Sequence, residues 1–309
     1  MSTLLLFVDG VGLGARDPST NPLAAARLRL LDRFDGPEEL TRPVPLGGFC
    51  TPLDAAMGVE GVPQSATGQT ALLTGQNAAR ANGRHLMGFP NGLLREVLRE
   101  HSVLKRLRAR GRRVLFANAF QPIFYLLPPE AQRRRMSATT TATLAAEIPL
   151  RTVPDIPPGE AVYHDFTNSG LDLLGYDVPT RTPEEAGRVL AGLVSRHDFV
   201  LYEHFLTDKA GHSQDLARGI AVAERLDRFL EAVLQAVDLT RVTVLVASDH
   251  GNLEDLSQPG HTRNPALGLV WGREAAWAAS HLRTLMDVTE TILALDSRAG
   301  LDAGGLTAC

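Results

Sequence analysis

Asp9, Asp208, Asp249, His212, His250 and His261 are six side chains of metal-binding type, scattered from the start of the chain to its last third. Asp9 closes the apolar run Leu4 to Val8. Asp208 follows the run Phe199 to Phe205. Asp249 and His250 close the run Val242 to Ala247, and His261 lies beyond a loop containing Gly251, Pro259 and Gly260. Asp208 and His212 are spaced i, i+4, which places them on one face of a helix. Taken singly, each has a plain structural use: Asp208 as a helix cap, Asp249 in an Asx turn, Asp9 before a glycine turn, His261 in a loop. Taken jointly, three carboxylates and three imidazoles fit two divalent-metal sites with mixed oxygen and nitrogen ligands.

A nucleophile stands apart from them. Pro63-Gln64-Ser65-Ala66-Thr67-Gly68-Gln69-Thr70 opens a helix. A hydroxyl there lies in the positive end of the helix dipole, beside backbone N–H groups without helical partners, where a phosphoryl group is well held. Ser65 is the first candidate and Thr67 the fallback. Either could instead be a simple N-cap.

The elements that must position these groups follow an α/β rhythm. The continuous apolar run Leu4–Val8 reads as a buried strand, and Arg113–Ala117, Phe199–Phe205, Val242–Ala247 and Leu267–Trp271 read as further strands. Helical patterns cover Ala24–Phe34, Ser65–Leu73, Leu93–Arg110, Glu184–Ser195 and His212–Val237, with loop and short strands over Pro37–Pro63. The expectation is an α/β fold: a doubly wound, mainly parallel sheet with helices on both faces and the site at the C-terminal strand ends. Residues 121–158 break the rhythm with seven prolines, the run Arg133–Arg135 and a Ser/Thr-rich stretch. They read as a small inserted lid or cap, leaving 1–120 and 159–309 as the catalytic core.

Composition narrows the classes. The chain has 309 residues, net charge −4 and 44% hydrophobic residues, so no strong field favours nucleic acid or an anionic membrane. Cys50 and Cys309 are the only cysteines, which argues against a thiolate metal site. Met1-Ser2-Thr3 and the short apolar run after it do not read as a signal peptide or membrane span, and a cytoplasmic enzyme is expected. Gly10-Val11-Gly12-Leu13-Gly14, with Asp32 further on, hints at a dinucleotide turn. Its third glycine comes one residue early, and that reading leaves the Asp/His set unexplained.

Phe7-Val8-Asp9-Gly10-Val11-Gly12, Gln64-Ser65-Ala66-Thr67-Gly68, Thr207-Asp208-Lys209-Ala210-Gly211-His212, Ser248-Asp249-His250-Gly251-Asn252 and His261-Thr262, in this order, resemble the alkaline phosphatase superfamily. The nearest branch is that of the cofactor-independent phosphoglycerate mutases and phosphopentomutases. The resemblance covers roughly residues 1–85 and 195–272. It implies that Asp208, His212 and His261 bind one metal ion, manganese or zinc. Asp9, Asp249 and His250 would bind a second, together with Ser65, which becomes phosphorylated. Gln69 stands where the mutases carry histidine, and the space for their large inserted domain is small.

A short cap leaves a phospho-enzyme open to water. Hydrolysis of a small phosphate ester is therefore expected ahead of a mutase reaction, and a non-catalytic metal-binding relative is the remote alternative. Arg80, Arg84, His85 and Arg263 are candidate phosphate contacts, and the Arg133–Arg135 run reads as a solvated face that could also close over substrate. The expected partner is a small phosphorylated metabolite; the oligomeric state is open.

Overall fold

Leu4 to Val8 is apolar at every position because the strand that holds it, β1 (Ser2–Val8), is covered on both faces. The computed structural model describes residues 2–31, 41–121, 123–126 and 128–304. Its other strands are β2 (Arg42–Val44), β3 (Gly48–Leu53), β4 (Val114–Phe116), β5 (Ala119–Phe120), β6 (Arg151–Thr152), β7 (Phe199–His204), β8 (Val242–Ala247) and β9 (Ala266–Gly272). Seven of them form one sheet in the order β2-β3-β9-β8-β1-β7-β4, and β5 pairs with β6 separately. β1 lies between β7 and β8, with Thr3 opposite both Phe199 and Thr243. Parallel pairing of β8, β1, β7 and β4 brings Asp9 and the residues after His204 and Ala247 to one sheet edge.

Leu4, Leu6 and Val8 face one apolar core, shared with helices Pro183–Arg196 and Leu216–Ala236. Leu5 and Phe7 face the other, shared with Ser65–Thr74, Gly92–His101, Val103–Ala109 and Met286–Gly304. The α/β layering is as expected, but the sheet is mixed: β9 runs antiparallel to β8, as does β3 to β9. The chain between β8 and β9 contains no helix. It turns back across the strand ends instead of crossing the sheet, so only an antiparallel return is open to it.

Three helical expectations are revised. Leu93–Arg110 is two helices divided at Ser102, whose hydroxyl caps the second by accepting from the Lys105 amide at 3.3 Å. His212–Val237 is interrupted at Gln214, which has φ +51°, and Asp215 caps the long helix that follows. Ala24–Phe34 reduces to a single turn, Pro22–Ala25, followed by irregular chain; its last residues, like Asp32 and the start of Pro37–Pro63, fall outside the described set. The amides of Arg29, Leu30 and Leu31 donate to the buried Asp227 carboxylate at 2.8, 2.9 and 2.9 Å, a stronger offer than a helical carbonyl. Asp227→Ala should therefore destabilise the protein by about 3 kcal/mol. A thermal melt displaced by less than about one degree would show that this cradle contributes nothing.

The stretch 121–158 is divided. Its Ser/Thr-rich part forms helix Ala138–Ala145, which is largely buried and packs on Ser65–Thr74 and Gly92–His101. Threonine tolerates that burial because hydroxyls bond within the helix, as Thr143 Oγ1 does to the Thr139 carbonyl at 2.7 Å. A separate small core gathers Ala119, Val153, Ile156, Ala161, Tyr163, Leu171 and Val178. This apolar nucleus thus reaches past the expected boundary at 158. Cys50 is buried and unpaired, with its thiol pushed up to about 11 by burial, and Cys309 lies outside the described residues.

Candidate active site

The six Asp and His side chains converge. His212 Nε2 lies 3.4 Å from Asp208 Oδ2, and His261 Nε2 lies 3.5 Å from Asp208 Oδ1. His250 Nε2 lies 3.4 Å from both Asp9 Oδ1 and Asp249 Oδ2. Among the described residues, two groups of side chains have the spacing to hold a metal ion: Asp208, His212 and His261, and Asp9, Asp208 and His250. Asp208 is common to both. The rings of His250 and His261 stack with centroids 3.6 Å apart, so the two groups adjoin.

Electrostatics show why this cluster fits a cation. Asp9, Asp249 and His250 are buried, and Asp9 Oδ1 and Asp249 Oδ2 have no hydrogen-bond donor among the described residues. Buried carboxylate oxygens are rarely left so, because the missing partner is costly. Burial, then repulsion from Asp249 and Asp208, holds the Asp9 carboxyl well above the ordinary range. Burial and Asp208 push Asp249 up to about 7. Burial lowers His250 to about 4 and also lowers His261, leaving neutral imidazoles with a lone pair to offer. Like charges crowded beside neutral imidazoles are the donor set a divalent ion stabilises.

Backbone and polar contacts fix the ligands. The Gly10 amide donates to Asp249 Oδ1 at 3.3 Å, and Asn252 Nδ2 donates to Asp208 Oδ1 at 2.6 Å. His261 Nδ1 lies 3.1 Å from the Pro63 carbonyl, which orients its Nε2 toward the cluster. Glu254, also buried, accepts from the Gly12 and Asn252 amides, both at 2.8 Å, and from Thr262 and Asn264. It ties together the loops after β1 and β8 and the His261 loop. Sequence reading missed Glu254; its one signal was its place two residues past the Asp-His-Gly-Asn stretch.

Ser65 opens helix Ser65–Thr74, and its Oγ lies 3.0 Å from His250 Nε2. Thr67 is fully buried, with its hydroxyl donating to the Gln64 carbonyl at 3.1 Å and accepting from the Leu86 amide at 3.2 Å. Ser65 is therefore the hydroxyl that reaches the cluster. Gln69 Nε2 donates to Asp9 Oδ2 at 3.3 Å, so the residue that departs from the mutase pattern touches a candidate ligand directly. Gly68 lets the helix abut β8's end: a Cβ there would meet the Asp249 carbonyl oxygen at 2.7 Å. That atom is backbone and cannot swing aside. Gly68→Ala should move Ser65 off His250 and lower kcat/KM by about 100-fold. Steady-state kinetics within about threefold of wild type would mean the contact relaxes harmlessly.

A cavity of about 600 Å³ opens beside Ser65, Asp9 and Asp208. Its described walls include Arg135 and Lys209 as cations, but not Arg80, Arg84, His85 or Arg263. Arg80, Arg84 and Arg263 are exposed, and His85 Nε2 lies 3.3 Å from the Val59 carbonyl. The walls also include Glu203, whose carboxylate accepts from Thr139 Oγ1 at 2.6 Å and is pushed up to about 7 by burial. No described helix is long and apolar enough to cross a membrane.

Residues 175–296 match the Metalloenzyme superfamily model. The 2,3-bisphosphoglycerate-independent phosphoglycerate mutase of Desulforudis audaxviator (strain MP104C) is 32% identical over 127 residues, 39% of this chain and 25% of that protein. The enzyme of the same name from Thermomicrobium roseum is 34% identical over 123 residues, 36% of this chain and 24% of that protein. The match thus spans about a quarter of the length of these relatives. The alkaline phosphatase from the Antarctic bacterium TAB5 aligns over 94% of this chain and 97% of its own, at 14% identity and TM-score 0.45. The family match over residues 175–296 and the partial matches to the mutases show that this part of the chain is similar to the Metalloenzyme superfamily and to the cofactor-independent phosphoglycerate mutases.

Proposed function

We propose that the protein hydrolyses a small phosphate ester through a phosphoserine formed on Ser65. The observation that carries this reading is Ser65 Oγ at a helix N-terminus, 3.0 Å from His250 Nε2 and beside the Asp9–Asp249 pair. Asp208, His212 and His261 would hold one divalent ion, manganese or zinc, and Asp9, Asp249 and His250 a second. Such ions supply positive charge for the phosphoryl oxygens and lower the proton affinity of a serine hydroxyl.

The chain's own groups do the rest. Ser65 Oγ bonds to phosphorus as the P–O bond to the alcohol breaks, and the alcohol leaves with a proton. A water oxygen then replaces Oγ on phosphorus, and Ser65 recovers its proton as phosphate departs. Helix N–H groups at Ser65–Thr74 favour the anion held there. Gln69 keeps Asp9 oriented toward the cluster.

Two wall residues of the cavity, Phe89 and Arg135, are exposed, which supports access of water to the phosphoserine. A mutase reaction is the second reading, favoured by the names of the relatives. Protein loaded with manganese or zinc should release phosphate from an ester panel and yield a phosphorylated Ser65 peptide after acid quench. Interconversion of phosphoglycerate isomers with no phosphate release would establish the mutase reading instead.

A further inference from the structure

The cavity beside Ser65 has an uneven wall. The chain contains 11 phenylalanines and 4 tyrosines. Phe89, Phe116, Phe120, Phe124 and Phe205 line this one cavity together with Tyr163. Phe116, Phe120 and Phe124 come from one short stretch, and the fold brings Phe89, Tyr163 and Phe205 to it. Phe116 meets Phe120 edge-on with centroids 6.0 Å apart, and Phe120 meets Phe124 at 5.2 Å. Opposite charge is sparse: Arg135 and Lys209 are the cations of the described wall, and Lys209 Nζ sits 4.7 Å from the Phe205 ring centroid.

A three-carbon acid phosphate would leave most of this apolar surface wet. It would also find few cations for its carboxylate. A flat ring would displace that water and meet ring faces and edges, the arrangement aromatic groups favour. The volume of about 600 Å³ also lies well inside the range of ~300–1,000 Å³ typical of sites for drug-sized ligands.

We infer that the preferred substrate is a phosphomonoester whose alcohol carries a planar ring, an aryl or nucleoside phosphate, with the ring seated among Phe89, Phe120, Phe124 and Tyr163 and the phosphoryl group at Ser65. This rests on the phosphoryl-transfer reading of the same site and adds the identity of the leaving group. Phe89 is exposed and Phe120 and Phe124 are half-buried; these three rings set the preference.

Two measurements separate the ring preference from the reaction itself. In the first, manganese-loaded protein is titrated calorimetrically with phenylphosphonate and with methylphosphonate, neither of which can be hydrolysed. Phenylphosphonate should bind at least about tenfold tighter, as burial of a ring requires. Binding within about twofold would overturn the inference whatever the catalytic outcome. In the second, kcat/KM is compared for phenyl phosphate, a nucleoside 5′-monophosphate and glycerol 1-phosphate. One or both ring esters should exceed the glycerol ester by about tenfold, and the better of the two names the ring class. Hydrolysis with glycerol 1-phosphate equal or ahead would overturn the ring preference and leave the phosphatase reading standing. No hydrolysis of any ester would sink the phosphatase reading, and the phosphonate titration would still decide the ring preference. Phe89→Ala, at an exposed position where folding is not at risk, should reduce the phenyl-to-methyl affinity ratio about threefold or more. An unchanged ratio in both Phe89→Ala and Phe124→Ala would count against the wall.

Discussion

Ser65→Ala should lower kcat by about 1000-fold or more and abolish the acid-stable phosphoprotein. The expectation is sharp because the neighbouring hydroxyl is committed elsewhere. Thr67 is fully buried and already donates to Gln64 and accepts from Leu86, so it has no geometry from which to take over. Folding should be nearly unaffected, since Ser65 supplies no side-chain cap to its helix. A Ser65→Ala protein that still turns over esters at above about a tenth of the wild-type rate would relocate the nucleophile. The phosphopeptide map of that variant would say where.

Removal of divalent metal should have a comparable effect on rate and a second, separate effect on stability. Without cations, Asp9, Asp208 and Asp249 repel one another in a buried site with two carboxylate oxygens lacking donors. A ligand present at 100 times its Kd stabilises a fold by about 2.7 kcal/mol, so metal addition should raise the melting temperature by roughly 5–10 °C. Apparent affinity should strengthen as pH rises, because binding displaces protons that burial has raised onto Asp9 and Asp249. Asp249→Asn makes the test discriminating. It removes one charge from the repelling set, so the metal-free variant should melt higher than metal-free wild type while losing most of the metal response and the activity. If chelation changes neither rate nor melting, the cluster is not a metal centre.

The parts legible in sequence are those where one physical requirement acts on contiguous residues. A strand segment covered on both faces is mostly apolar, so Leu4–Val8, Phe199–Tyr202 and Val242–Ala247 were visible as runs, and the Asp or His beyond each stood out by contrast. Gly68 was visible as part of a motif, but its reason, contact with the Asp249 carbonyl, needs two segments far apart in sequence. The same limit hid Asp227: an aspartate within a helix looks solvated until three amides from another stretch point at it. It also concealed the aromatic wall: Phe116, Phe120 and Phe124 recur every four residues, but Phe89, Tyr163 and Phe205 join them only in the fold. The four basic candidates Arg80, Arg84, His85 and Arg263 were chosen by sequence proximity. Only the fold reveals that Arg135 and Lys209 line the cavity instead.

The central place of β1 has a consequence for synthesis. Its partners β7 and β8 begin at Phe199 and Val242, so β1 must wait for strands that lie far downstream of it in the chain. At ~5–20 residues per second, a ribosome needs roughly ten to fifty seconds to supply them. Throughout that interval the Leu4–Val8 segment is a nascent-chain ribbon with both edges unpaired, a natural client for a holdase chaperone and the first point from which a truncated polypeptide would aggregate.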